Sequence, residues 1–321
     1  MKVVAIFASA VLSLAMPSAL AQQYPTKPIR LIVPYPPGGP NDLFGRVIAQ
    51  KLAEAYGQQV VVDNRSGASG IIAAELVAHS APDGYTLLLG GAALLAMNPA
   101  LFAKLPYEPV KDFASISLIA SAPSLLVTNL ALPVKTVQDL IAFAKARPGQ
   151  LNFGSAGAGG PPRLAAELFM SMTGIRMQLI PYNGGGPGLT ATIAGEVHVF
   201  FPTVSLALPL VRDGKLRGLA VTGATRTAIA PDFPTIAESG VPGYEISNWF
   251  AVLAPAATPQ PVIARLNNEI VKALGVNETK KRFIEAGADP LGSTPEELAR
   301  STREEIIKWA NVVKAAGIRL E

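Results

Sequence analysis

The sequence has no cysteine among its 321 residues. This absence excludes disulfide bonds, thiol catalysis and cysteine-ligated metals, so the fold must be stabilised by its apolar core. Histidine is scarce as well, and neither His79 nor His198 stands in the spacing of a zinc motif. His198 lies in an apolar stretch, which favours a structural role. The composition therefore predicts a protein without a metal site.

Motifs of the common enzyme classes are also missing. Ser155 is not part of a G-x-S-x-G nucleophile elbow, because Phe153 stands two residues before it. The sequence has no G-x-x-x-x-G-K-[ST] phosphate loop, and the run at 157–162 breaks the G-x-G-x-x-G dinucleotide pattern. We therefore expect a protein that is not an enzyme and that binds no cofactor.

Charged residues are few and dispersed. They make up 16% of the chain, the formal net charge is +4, and no block of lysine and arginine stands out. Binding to nucleic acid or to a membrane surface would require clustered positive charge, so neither role is predicted.

The only long apolar run stands at the N-terminus. Residues 1–2 are Met-Lys, residues 3–15 are apolar, and residues 19–21 are Ala-Leu-Ala, a small-x-small cleavage site. This is the pattern of a signal peptide covering 1–21, too short for a membrane-spanning helix. We expect an exported protein whose mature chain begins at Gln22, with the bacterial periplasm as its compartment.

Three glycine-rich turns share one design. Each joins a strand-like apolar run to a helical pattern, and each places glycines next to a proline, at 34–42, 155–162 and 181–187. Proline suits the first turn of a helix, and glycine lets a ligand approach the backbone closely. The first N–H groups of a helix have no partner inside it, and the helix dipole is positive there. Such turns also occur in any α/β domain simply to reverse the chain, but three of them suggest a cleft for a carboxylate or a phosphate.

Strands and helices alternate along the chain, which predicts an α/β fold with mainly parallel sheets. An extended segment at 113–129 contains Pro123, which is unwelcome in a central strand, and a second strand-like segment runs over 246–253. We interpret both as crossings between two lobes. This predicts a discontinuous first lobe at 22–123 and 247–321, a second lobe at 124–246, and a ligand between them.

Several short motifs, taken together, resemble one family. They are residues 24–34 with Gly38, Gly39 and Asp42; 63–65 with Gly67, Ala68 and Gly70; 82–88; 154–157 with 164–167; 181–182 with Gly184 and Gly185; 219–222; 234–238; and Trp249 with 254–255. The sequence is similar to the Bug family, the periplasmic solute-binding subunits of tripartite tricarboxylate transporters, over nearly the whole mature chain.

The resemblance implies a type II periplasmic-binding-protein fold, two lobes joined by a two-crossing hinge. It implies capture of a small carboxylate by a monomer and its delivery to the membrane subunits of a transporter. By position, the family's ligand shell would correspond to Tyr35, Gly38, Gly39, Asp42, Ala68, Ser69, Ser155, Ala156, Gly157, Tyr182, Gly184 and Gly185. Asp42 could instead be a helix cap, since its charge would oppose an anionic ligand.

Two departures from the family pattern concern the ligand. Family members often have Ser and His where this chain has Gly160 and Arg163, and Asp where it has Pro202 and Thr203. Arg163 stands in the first turn of a helix, where its charge opposes the dipole; it either pairs with a second ligand carboxylate or faces solvent. The missing acid argues against an amino-acid ligand.

The far end of the cleft is expected to set selectivity, through Met97, Phe201 and Thr203. Their apolar character favours an aliphatic or aromatic acid. Two other functions stay open: an exported α/β hydrolase using Ser155 or a carboxylate, and a ligand sensor that docks on a receptor.

Overall fold

The computed structural model describes residues 24–156 and 161–317. The predicted signal peptide, Gly157 and Gly160 lie outside these ranges. The strands are β1 (Ile29–Val33), β2 (Val60–Asn64), β3 (Thr86–Gly91), β4 (Phe113–Pro123), β5 (Leu125–Thr128), β6 (Leu151–Ala156), β7 (Met177–Tyr182), β8 (Val199–Phe200), β9 (Arg217–Val221), β10 (Ser247–Pro255) and β11 (Asp289–Pro290).

The helices are α1 (Pro40–Tyr56), α2 (Ile71–Ala78), α3 (Asn98–Leu101), α4 (Val137–Ala146), α5 (Pro161–Thr173), α6 (Gly185–Ala194), α7 (Val204–Arg212), α8 (Gln260–Gly275), α9 (Asn277–Glu285) and α10 (Pro295–Ala316). A 3-10 turn at Ala68–Gly70 precedes α2, and a π-helical segment at Ala93–Met97 precedes α3. Among the described residues, no helix is long and apolar enough to cross a bilayer.

The strands form two sheets. The first has the order β11-β4-β10-β3-β1-β2, and the second has the order β7-β6-β8-β5-β9. In the first sheet β1 is parallel to β2 and β3, and in the second β6 is parallel to β7 and β8. β10 and β5 run antiparallel to their neighbours. The sheets are thus mixed rather than mainly parallel, because the strands next to the crossings enter each sheet in the opposite direction.

The chain passes between the sheets twice, as predicted. It leaves the first sheet at the end of β4, enters the second at β5, and returns before β10. This arrangement gives the two lobes of a periplasmic-binding fold. The exact lobe boundaries, at 123/124 and 246/247, stay a prediction.

Helix α1 begins and ends where local chemistry requires. Pro40 occupies its first turn, and Gly57 ends it in a left-handed conformation with φ of 64°. Its apolar face buries Phe44, which stacks on Phe283 and meets Phe250 edge-on. This packing fixes the helix N-terminus at the end of β1.

Helix α10 packs on both lobes. It begins with a capping box between Thr294 and Glu297. Near its start, Leu298 joins an apolar cluster of the first lobe, whereas Trp309 and Val313 join the core that contains Phe169 of α5. The helix therefore links the two lobes along its length.

Candidate ligand-binding cleft

Loops that follow strands of the first sheet line a cavity that also reaches the start of α5 in the second lobe. Parallel strands end at the same edge of a sheet, so β1, β2 and β3 place their following loops together, and β6, β7 and β8 do the same. A cavity of about 270 Å³ lies between residues of the first lobe and Pro161 of α5. Its lining residues are Pro34, Tyr35, Pro40, Asn41, Gly90, Gly91, Ala93, Leu94, Pro161, Asn248, Trp249 and Phe250.

The lining is mostly apolar and aromatic. Its polar side-chain groups are those of Asn41, Asn248 and Tyr35 and the indole N–H of Trp249. Burial raises the pKa of the Tyr35 phenol, so this hydroxyl stays protonated and can donate. None of the described lining residues is basic. An anion in this cavity would therefore be held by neutral donors.

The first predicted loop is braced by Asp42. Its Oδ2 accepts hydrogen bonds from the Gly38 N–H at 3.0 Å and from Arg46 Nε at 2.9 Å, and its Oδ1 accepts from Asn64 Nδ2 at 3.0 Å. The same Asn64 amide donates to the Tyr35 carbonyl at 3.0 Å. The Asp42 side chain is only 7% exposed. The loop is thus tied to α1 and to the end of β2.

These contacts bear on two expected ligand residues, whose ligand roles stay predictions. The carboxylate of Asp42 accepts three hydrogen bonds from the protein and braces the loop. The Gly38 N–H is donated to Asp42 in this structure. Asp42 is not itself the helix cap, because Gly39 is the N-cap of α1 and Asp42 bonds the N–H of the residue before it.

Acid should weaken this brace. The hydrogen bond from Arg46, with those from Gly38 and Asn64, lowers the pKa of Asp42 from 3.8 to about 2. Because the folded pKa is lowered, the stabilisation is present above about pH 4 and is lost as pH falls towards 2. Between pH 5 and pH 2.5, we expect wild type to lose about 1–2 kcal/mol more unfolding free energy than Asp42→Asn, since Arg46 is half exposed and screened. Urea unfolding at both pH values measures this, and equal losses would contradict it.

The second predicted loop is held in a strained conformation. Ala68 and Ser69 have φ of 45° and 54°, between two glycines that also have positive φ. The Ser69 carbonyl accepts from Asn98 Nδ2 at 3.3 Å, and the neighbouring Tyr107 hydroxyl donates to the Leu94 carbonyl at 2.7 Å. Ala68 and Ser69 follow β2 as predicted, but they do not line the 270 Å³ cavity.

Glycine at position 69 should relieve this strain. We expect Ser69→Gly to raise the unfolding free energy by about 0.5–1 kcal/mol, because the left-handed region costs a side chain more than it costs glycine. The control is Ser66→Gly, in the same exposed loop without positive φ, which should be neutral or destabilising. Thermal denaturation of the two variants checks the difference, and the reverse ranking would contradict it.

The predicted residues of the second lobe lie at one edge of its sheet. Ser155 and Ala156 end β6 and pair with Pro181 and Tyr182 of β7. Gly184 is the N-cap of α6, with φ of 108°, and Gly185 begins the helix. Ser155, Tyr182, Gly184 and Gly185 do not line the 270 Å³ cavity, and Ser155 is fully buried. Gly157 lies outside the described residues.

Arg163 does not face solvent, which was one of the two alternatives for its side chain. It stands in the first turn of α5, and its Nε lies 3.6 Å from Oε1 of Glu167, one turn along. The side chains are only 19% and 15% exposed. Burial raises the pKa of Glu167, and the charge of Arg163 opposes that rise.

Of the residues expected at the far end of the cleft, two are buried in the core and one begins a helix. Met97 and Phe201 are 2% and 0% exposed and belong to the apolar core. Thr203 is the N-cap of α7, and its hydroxyl is 3.3 Å from that of Ser205. His198 is structural as expected, since its Nδ1 accepts the Asn152 N–H at 2.9 Å.

Part of the cavity was missed by the sequence interpretation. Asn41, Gly90, Gly91, Ala93, Leu94 and Asn248 line it, although none was named as a ligand residue. Gly91 carried a usable signal: a Cβ there would lie 2.4 Å from the carbonyl oxygen of Trp249, so the approach of β10 requires glycine. A glycine pair at the end of a buried strand points to such a close approach.

Comparison with known sequences now decides the family. The sequence model described as "Tripartite tricarboxylate transporter family receptor" matches residues 44–318. The chain belongs to this family. It is 39% identical over 302 residues to Protein BugT of Bordetella pertussis, covering 94% of this chain and 93% of BugT.

Two solved structures are similar to nearly the whole chain. Rpa4515 of R. palustris, solved with adipate, has a TM-score of 0.75 and 41% identity, and the match covers 92% of this chain and all of Rpa4515. MatC of Rhodopseudomonas palustris, solved with malate, has a TM-score of 0.71 and 32% identity, covering 90% of this chain and all of MatC. The resemblance read from the sequence motifs is therefore confirmed.

Proposed function

We propose that this receptor-family protein captures a small carboxylate between its lobes in the periplasm and delivers it to the membrane subunits of a tripartite transporter. The observation that carries the proposal is the cavity between Pro161 and the first glycine loop, beside the N-terminus of α1. Relatives solved with adipate and malate support a carboxylate as the ligand class. We also propose that the protein acts as a monomer and without catalysis.

The proposed anion site uses backbone donors. In α1 the Leu43 N–H closes the first helical hydrogen bond on the Gly39 carbonyl at 3.1 Å. The N–H groups of Asn41 and Asp42 precede that bond and have no acceptor within the helix. Together with the helix dipole and the Tyr35 hydroxyl, they suit one carboxylate group. The loops of the second lobe, including Tyr182, Gly184, Gly185 and Thr203, are proposed to complete the shell when the lobes close.

The lining also suggests the rest of the ligand. One carboxylate can be held at the helix N-terminus, whereas the remaining wall is mainly apolar. A tricarboxylate would bury charge without a basic partner there. We therefore propose an acid with an aliphatic or aromatic body. Catalysis on it is not proposed, because the buried Ser155 is not presented to a substrate.

A thermal-shift screen of the purified mature protein tests the proposal. The probes are citrate, C4 to C6 dicarboxylates, aspartate, glutamate and aromatic acids. A ligand that binds only the native state raises the melting temperature, so we expect a shift for aliphatic or aromatic acids and none for citrate. The protein should first be unfolded and refolded to remove any acid that co-purifies. No shift for any acid would overturn the proposal.

Arg163 does not line the 270 Å³ cavity, and we propose that it reaches a second carboxylate when the lobes close, in competition with Glu167. If the ligand is a dicarboxylate, Arg163→Ala should weaken it about tenfold or more and leave a monocarboxylate of the same length nearly unchanged. Glu167→Gln is the matched control, because it removes the competing carboxylate and keeps the arginine. Calorimetric titration of both acids provides the comparison. Equal losses for the two acids, or none, would contradict this role.

A further inference from the structure

Both crossings between the lobes meet at one buried threonine. Thr222 directly follows β9 and is fully buried. Its N–H donates to the Ser124 carbonyl at 2.9 Å, and its hydroxyl oxygen accepts the Ser124 N–H at 2.8 Å. Its carbonyl accepts the Ile246 N–H at 2.9 Å. One residue of the second lobe therefore holds both connecting segments.

Ser124 and Ile246, the partners of Thr222, lie where the chain crosses between the lobes, so their hydrogen bonds to Thr222 are in the hinge. Pro123 and Ser247 are the terminal pair of the β4–β10 ladder, where both strands leave the first sheet. Ser124 and Ile246 are the next residues outward on each segment, and both bond to Thr222. A Cβ on the adjacent Gly223 would lie 3.5 Å from both Pro123 Cβ and Ser247 Oγ, so the chain around Thr222 packs against both crossings.

The Thr222 hydroxyl provides a hydrogen-bond acceptor that a residue without a hydroxyl would lack. Two of the three hydrogen bonds use backbone atoms, but the acceptor for the Ser124 N–H is the threonine hydroxyl. Ser124 is 9% exposed, so this donor would have little access to water if the hydroxyl were removed. A buried donor without an acceptor is unfavourable, and the first crossing would then adopt other conformations.

We propose that Thr222 is a positioning residue for ligand capture: it couples the two crossings so that the lobes turn about a single axis and meet in one register. The proposal depends on the lobe closure that the proposed function requires, but not on the identity of the ligand. Hinges of this kind absorb a domain motion in a few residues at element ends.

Because the chain has no cysteine, introduced cysteines can be labelled specifically, which allows a direct test without ligand. Ala55→Cys on α1 and Ala142→Cys on α4 place spin labels on exposed positions of the two lobes. Distances between the labels are then measured by pulsed electron paramagnetic resonance. The variants are Thr222→Val, which keeps the shape without the hydroxyl, and Thr222→Ser, which keeps the hydroxyl. The control is Thr192→Val, since Thr192 is equally buried and its hydroxyl bonds only the Gly188 carbonyl of its own helix.

We expect Thr222→Val to broaden the distance distribution about twofold, while Thr222→Ser and Thr192→Val retain the wild-type width. An unchanged width in Thr222→Val, or equal broadening in Thr192→Val, would overturn the proposal. If Thr222→Val does not fold, hydrogen exchange of the wild type decides: the Ser124 and Ile246 amides should exchange as slowly as Val127 within β5, and fast exchange would refute the coupling. Failure of the carboxylate proposal would instead appear as an absence of thermal shifts, with these distances unaffected.

Discussion

Replacing Asp42 with alanine is expected to lower carboxylate affinity about 100-fold and the unfolding free energy by about 2–4 kcal/mol. The substitution leaves three donors without their acceptor: the Gly38 N–H, Arg46 and Asn64. Asn64 also fixes the Tyr35 carbonyl, so the whole loop in front of α1 loses its brace. Removal of a negative charge near an anion site acts in the opposite direction. This gain is small, because Arg46 already neutralises Asp42 in wild type.

The matched control for this prediction is Asp139→Ala. Asp139 accepts from the N–H groups of Lys135 and Thr136 at the start of α4, so it braces a helix N-terminus that is remote from the cleft. The Asp139→Ala variant should lose about 1 kcal/mol of unfolding free energy and keep the wild-type carboxylate affinity. Urea unfolding and calorimetric titration of the refolded variants separate the two effects. Unchanged affinity in Asp42→Ala would refute the role of the loop.

Trp309→Ala is the second large effect, with an expected loss of about 3–5 kcal/mol in unfolding free energy. The indole is fully buried, and its Nε1 donates to Oε2 of Glu305 at 2.7 Å. It packs in the core that includes Phe169 and Val313. Its removal leaves a cavity where α10 meets the second lobe, so the C-terminal half of the helix should detach first.

Trp309→Phe provides the comparison. It retains a ring in the core and loses the hydrogen bond to Glu305, so a loss of about 1–2 kcal/mol is expected. Only one other tryptophan, Trp249, is present, and its fluorescence then reports on the crossing strand alone. Denaturant titration of both variants gives the ranking. Similar costs for alanine and phenylalanine would show that the indole is not packed as described.

Local patterns in the sequence were sufficient for the alternation of strands and helices and for the path between the lobes. Pro123 at the end of an extended run indicated the first crossing, and it ends β4. Thr136 and Asp139 have the three-residue spacing that is typical of a helix start, and both side chains form a capping box at the start of α4. Such signals act over a few residues, so they can be recognised without the tertiary structure.

The details of the cleft could not be predicted in the same way. Gly38 and Asp42 were both named as ligand residues, but they bond each other. Met97 and Phe201 have the apolar character expected of a ligand wall, yet they are buried in the core. Periodicity shows that a residue is apolar, whereas the side of the sheet that it faces depends on packing between distant elements. Asn248 was missed for this reason, since it reaches the cavity only through the return crossing.

The place of β10 in the first sheet has a consequence for the order in which the protein forms. β10 lies between β3 and β4, yet it follows all strands of the second sheet along the chain. During synthesis, the facing edges of β3 and β4 therefore remain unpaired while the second sheet is completed, and unpaired edges can form incorrect strand pairs. Insertion of β10 between β3 and β4 requires contacts between residues far apart in the sequence, and such contacts form slowly. The lobe that begins first is thus the last to be finished.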